Sequence, residues 1–425
     1  MTHRPTTHPH PLRLTRAALL ASAAALAALA ALPPAASAAP RPAAPAAATA
    51  LDGSGECTFP MKKQIAGTPW PLQRLLLDEL WKTTRGKGVR VAVIDTGVDT
   101  ANPQLKSAVD AKAGKDYLGK TRGTTDTVGH GTKVAGIIAA RPRSGTGFVG
   151  LAPEATIIPI RQNDEKNSGK SDTMAQAIRY AVGQHAGVIN ISQDTAEPLG
   201  PDSKLAQAVR FALDHQVVVV ASAGNDGTDG QARDTYPAAF PGVLAVAASD
   251  RDNERAAFSQ PGGFVGVAAP GVDIVSTVPG NGQCLDNGTS FSAPYVAGVA
   301  ALLRGEHPKW TAQEVVAQIE QTAERSVNGH DDFVGWGVVD PVAAVSGDGA
   351  PVESPRPDPG PPKPPAPQPA RLTLSETPEE RGRRYATYTL GIGVVLVAVV
   401  GGTAVILRDS RKKAAGRAGG GRGRV

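Results

Sequence analysis

Short runs of apolar and β-branched residues alternate along the middle of the chain with longer stretches whose apolar positions recur every three or four residues. The short runs predict strands over residues 89–94, 156–160, 187–191, 217–221, 243–247 and 264–268. The periodic stretches predict helices over 72–81, 130–140, 171–184, 203–215, 290–304 and 311–321. The strand runs are apolar throughout rather than alternating, as in a sheet covered on both faces. An α/β domain with three layers and a mostly parallel central sheet is therefore expected. Functional groups in such folds gather where the strands end.

Outside this region the pattern changes. Residues 1–38 join Arg4, Arg13 and Arg16 to a short apolar run and end in Ala36-Ser37-Ala38, the layout of a secretory signal cleaved after Ala38. An extension over 39–69 opens rich in Ala and Pro, and the expected domain occupies 70–346. A linker over 347–384 follows, with ten prolines among residues 351–370, which makes it a semi-rigid spacer. Residues 385–407 are 23 uncharged, largely apolar positions, enough for one transmembrane helix. The tail, 408–425, carries seven Lys or Arg against Asp409, which places it in the cytoplasm and everything before Tyr385 outside the cell membrane.

Charge and cysteines refine this picture. The net charge is +5; the signal contributes +3 and the tail +6, which leaves −4 for residues 39–407. A mildly acidic exported part gives no case for binding nucleic acid. Cys57 and Cys284 are the two cysteines of the chain. In an oxidising compartment they are candidates for one disulfide, with two free thiols as the alternative, because sequence does not report proximity.

Four polar residues stand at ends of apolar segments: Asp95 in VAVIDTGVD, His130 in GHGTKVAG, Asn225 after VVVVASAG and Ser290 in GTSFSAPYVAG. Each alone has a bland role as a cap or turn residue. Together they supply what hydrolysis of an acyl bond requires. The Ser290 hydroxyl needs a base, which His130 between two glycines offers. The imidazole needs a carboxylate, which Asp95 offers. An oxyanion needs donors, which the Asn225 side chain and the Ser290 N–H at a helix start offer. Pro294 fits the first helical turn, where a missing N–H is harmless.

Through these four motifs, and through their Asp, His, Ser order, residues from about 70 to 344 resemble the subtilisin-like serine proteases. The resemblance implies that Asp95, His130 and Ser290 form a catalytic triad with Asn225 as oxyanion donor. Such chemistry requires no cofactor. Structural calcium accompanies some members of the family, and no compact ligand motif such as an EF-hand loop appears in this chain. The family often has Asn-Met-Ser-Leu-Gly in the substrate-pairing strand, where this chain has Asn190-Ile191-Ser192-Gln193-Asp194. Ser192, Gln193 and Asp194 are thus substrate-binding candidates. Asp194 either narrows the primary pocket toward a basic or otherwise restricted side chain or is a solvated loop acid. The attachments further resemble those of the mycosins, membrane-anchored proteases of type VII secretion systems. That likeness implies protein or peptide substrates and a secretion membrane complex as partner. It leaves open a mainly structural role in such a complex, or a general surface protease. Between Ala39 and Trp70 there is little apolar periodicity, which argues against a folding propeptide and for an extension that wraps the domain.

Overall fold

The computed structural model describes residue 57 and residues 59–61, 64–75, 77–164, 169–347, 350–359 and 375–418. The signal segment 1–38, residues 39–56 of the extension, 360–374 of the linker and 419–425 of the tail lie outside the described residues. The chain divides into two units, residues 1–360 and 361–425.

In the first unit seven strands form one sheet: β1 (Arg90–Asp95), β2 (Lys115–Asp116), β3 (Thr156–Arg161), β4 (Val188–Ile191), β5 (Val218–Ser222), β6 (Leu244–Ser249) and β7 (Val265–Pro270). Their order is β2-β3-β1-β4-β5-β6-β7 and every pairing is parallel. The period of two along β1 sends Val91 and Val93 into one core and Ala92 and Ile94 into the other. The first core lies under α3 (His130–Ala139), α6 (Thr289–Glu306) and α7 (Ala312–Gln321). The second lies under α4 (Ser171–Gly183) and α5 (Lys204–Asp214). Buried Ile94, Ile158 and Ile189 each contribute about 1.5–3 kcal/mol by leaving water.

The chain passes from β1 to β3 on one side and then to β4 on the other, so β1 marks a reversal of strand order. The register pairs Asp95 with Arg161 and Ile94 with Ile191, so Asp95, Gln162 and Ser192 come to one edge of the sheet. Such an edge is where α/β sheets place their sites.

Three features depart from the periodic pattern. The helix expected over 72–81 is divided into α1 (Trp70–Arg74) and α2 (Leu77–Thr83), because Leu75 is extended (φ −85°, ψ 127°). That break lets Trp70 Nε1 donate to Val272 O at 2.9 Å while Trp81 Nε1 reaches Leu151 O at 2.9 Å. Strands β8 (Ile274–Thr277) and β9 (Gln283–Asp286) form an antiparallel hairpin that the pattern did not reveal. Pro294 is the sixth residue of α6 rather than a member of its first turn. Its missing N–H would have served the Ser290 carbonyl four residues back. The short helix α8 (Pro341–Val345) ends the domain.

Cys57 and Cys284 are joined as a disulfide with Cα atoms 5.9 Å apart. Beyond it the extension follows the β8–β9 hairpin: Met61 N donates to Asn281 O and Ile65 N to Gln283 Oε1, both at 2.9 Å.

In the second unit, α9 (Pro378–Ala418) contains the apolar stretch 385–407. Its part Pro378–Ala414 is long and apolar enough to cross a membrane.

Candidate active site

Asp95 ends β1 and is fully buried. Its Oδ1 accepts from Thr96 N at 2.7 Å and faces His130 Nδ1 at 2.8 Å. His130 opens α3, and its approach depends on the two flanking glycines. Gly129 has φ +86°, and a Cβ on Gly131 would fall 2.1 Å from Gly97 O and 3.0 Å from Asp95 Cβ. The carboxylate at Nδ1 makes that nitrogen the protonated one and leaves Nε2 as the basic lone pair. Desolvation pulls the imidazole pKa down, but the charge and hydrogen bond of Asp95, aided by Asp126, outweigh it, so His130 sits above the ordinary histidine value. Its ring leans on Phe291 with centroids 5.3 Å apart.

Asp126, not singled out from the sequence, ties these parts together. It accepts from Gly129 N at 2.8 Å, Thr132 N at 2.8 Å, Thr132 Oγ1 at 2.6 Å and Thr96 Oγ1 at 2.9 Å. Thr96 Oγ1 in turn accepts from Gly131 N at 2.9 Å. Asp126 thereby serves the unpaired N–H groups at the start of α3 and anchors that start to the end of β1. Burial pushes its carboxyl up while these donors hold it down, burial prevailing. An Asp three residues before a helix-opening Gly was the available signal.

Ser290 is the second residue of α6, so its N–H is one of the helix's first, which lack intrahelical partners. Its Oγ donates to Ser192 O at 3.1 Å. The hydrogen bond to His130 that a resting triad would suggest is therefore not formed, because the serine rotamer satisfies its hydroxyl on Ser192 instead. Ser192 Oγ donates back to Ser290 O at 2.9 Å and accepts from Asn190 Nδ2 at 2.9 Å.

Asn225 follows β5 and is exposed. Its Oδ1 accepts from Thr289 N at 2.9 Å and Thr289 Oγ1 at 3.1 Å, and Thr289 Oγ1 accepts from Gly224 N at 3.2 Å. With the oxygen held by two donors, Nδ2 is the free end of the amide and a donor. Thr289 was missed in the sequence because its role depends on a residue 64 positions away.

Gln193 Oε1 accepts from Gln162 Nε2, which links the segments after β4 and β3. Asp194 leans toward Gly224. Among the described residues no group of three or more His, Cys, Asp or Glu side chains is placed to hold a metal ion. The residues brought together are an imidazole with one free nitrogen, a hydroxyl at a helix start and an amide N–H, groups that suit attack on a carbonyl carbon.

The family model described as the subtilase family, Peptidase S8, matches residues 86–337. Subtilisin E of Bacillus subtilis is 38% identical over 61% of this chain and 66% of its own length. Mycosin-4 of Mycobacterium tuberculosis is 37% identical over 65% of this chain and 68% of its own. The chain thus spans about two thirds of the length of these curated relatives. Among solved structures, a chain of an intact ESX-5 inner membrane complex is similar with a TM-score of 0.59 and 30% identity, over 80% of this chain and 90% of that one.

Proposed function

We propose, on the premise that this chain belongs to the subtilase family of peptidases, that it is a membrane-anchored serine endopeptidase of mycosin type working through an acyl-enzyme. The observation that carries this reading is the 2.8 Å contact between His130 Nδ1 and the buried Asp95 carboxylate, which leaves Nε2 free to act as base. Ser290 Oγ exchanges its bond to Ser192 O for one to His130 Nε2 by rotating about χ1. As Oγ attacks the scissile carbonyl, Nε2 takes its proton and Asp95 stabilises the imidazolium. The oxyanion is held by Asn225 Nδ2 and Ser290 N–H. His130 then passes the proton to the leaving amine, and water releases the acyl group by the same route. Substrate backbone lies along residues 192–194 as an added strand.

Labelling the detergent-solubilised chain with a fluorophosphonate tests this: the adduct should map to Ser290 by mass spectrometry and disappear in His130→Ala. An unlabelled protein, or an adduct elsewhere, would overturn it.

The apolar helix α9 supports anchoring, and the signal segment with the basic tail supports an outside domain and a cytoplasmic end. Similarity to a chain of an ESX-5 inner membrane complex favours membership of a type VII secretion complex. It also favours a second reading, in which the domain chiefly stabilises that complex. Complementing a deletion strain with Ser290→Ala separates the two, since restored secretion assigns the essential role to the scaffold.

A further inference from the structure

Lys133 follows His130 by three residues in α3, so the two side chains share one face of that helix. Lys133 is only 7% exposed, and its Nζ donates to Asp286 Oδ2 on β9 at 2.6 Å. Both side chains meet Phe291, the residue after Ser290: the His130 and Phe291 ring centroids are 5.3 Å apart, and Lys133 Nζ lies 5.9 Å from the same Phe291 ring. The backbone of this turn is held by β8, where Ser276 Oγ donates to Lys133 O at 2.5 Å and Thr277 Oγ1 to Thr132 O at 2.8 Å. A buried ammonium group is thus fixed one helical turn from the base, and β9 supplies its counterion. The other charges around α3 are engaged. Asp95 at the end of β1 faces His130 Nδ1, Asp126 accepts from Gly129 N and Thr132 N, and Asp99, in the loop after β1, accepts from Gly280 N. The facing turn of α6, residues 289–292, and strand β8 carry no charged residue. Asp95 and Asp126 favour the protonated imidazole, and Lys133 opposes it.

We propose that Asp286 is a positioning residue for the peptidase reaction, acting through Lys133: it neutralises a cation that would otherwise oppose the imidazolium formed on His130 as Ser290 gives up its proton. This rests on the peptidase reading above. Without the Asp286 charge, Lys133 repels the imidazolium past the Phe291 ring, and His130 is a weaker base. Without the Lys133 charge, Asp286 adds a third carboxylate to Asp95 and Asp126, and His130 is a stronger one. The competing outcome is a clasp that only ties α3 to β9 and leaves the base unaffected.

The test measures kcat/KM against pH for the full chain in detergent with a chromogenic peptide, comparing Asp286→Asn, Lys133→Met and the double variant. The midpoint of the rising limb should fall by about 0.3–1 pH unit in Asp286→Asn and rise by a similar amount in Lys133→Met. Combining the two should return it toward that of the unaltered protein, and Lys133→Arg, which keeps the charge, should stay close to it. A midpoint does not depend on how much of a variant folds, and ring-proton NMR of His130 in a Ser290→Ala background reads it without turnover. Midpoints that do not move, or that move in the same direction in both single variants, overturn the proposal and leave the clasp, while fluorophosphonate labelling of Ser290 keeps the peptidase reading intact. No cleavage together with no labelling would remove both.

Discussion

Ser192 and Ser290 hold each other by two hydrogen bonds, Ser192 Oγ donating to Ser290 O at 2.9 Å and Ser290 Oγ to Ser192 O at 3.1 Å. The first stands where an intrahelical bond would be, because Pro294 has no N–H to offer the Ser290 carbonyl. The proline thus frees a carbonyl in the turn that carries Ser290, and the segment after β4 captures it. Ser192→Ala leaves that carbonyl and Asn190 Nδ2 short of a partner. It should lower the unfolding free energy by about 1–3 kcal/mol in denaturant titrations.

The Asn225 amide is oriented by Thr289. Asn225→Ala should lower kcat by about 10²–10³-fold with little change in KM, a magnitude carried over from subtilisin's own oxyanion asparagine. Thr289→Val keeps the volume but removes the hydroxyl that fixes the amide. It should lower kcat in the same direction by a smaller factor, with Thr289→Ser restoring most of it, as steady-state kinetics would show.

Because His130 is shifted upward, it keeps its proton above the ordinary histidine pKa of about 6.5. The base must be neutral, so kcat/KM should rise through a midpoint above that value. The sign for stability is the opposite. The folded state holds the proton more tightly than the unfolded one, so this contribution is full below the unfolded pKa and is lost as pH rises through the folded one. Ring-proton NMR of Ser290→Ala should find the same midpoint as the rate profile.

The Cys57–Cys284 bond clasps the extension to β9, six residues before Ser290. Replacing both cysteines with serine should cost roughly 2–5 kcal/mol and lower Tm in a calorimetric scan. Peptidase activity measured well below the new Tm should fall less than stability does.

Truncation before Pro378 removes α9, the described helix long and apolar enough to span a membrane. The shortened protein should appear in the soluble fraction and still cleave peptides, because Asp95, His130, Ser290 and their hydrogen-bond partners belong to the first unit.

Periodicity along the chain was sufficient for the layers. Runs such as 217–221 and 243–247 are apolar at every position, and only a strand covered on both faces buries such a run completely. Local chemistry was sufficient to nominate Asp95, His130, Asn225 and Ser290, since each is a polar group at one end of an apolar segment. Other features depend on atoms distant in sequence. The β8–β9 hairpin lacks a strong alternating signal and is secured by its packing under α3 and by the disulfide, a pairing that required Cys57 and Cys284 to come within reach. Asp126 and Thr289 look like ordinary turn and cap residues until the ends of β1 and β5 arrive beside them. The break at Leu75, the capture of the Ser290 carbonyl and the reach of Asp194 across to Gly224 likewise arise only on packing. Backbone propensity acts over a few neighbouring residues, whereas hydrogen-bond partners are chosen by whichever groups the completed core brings within about 3 Å.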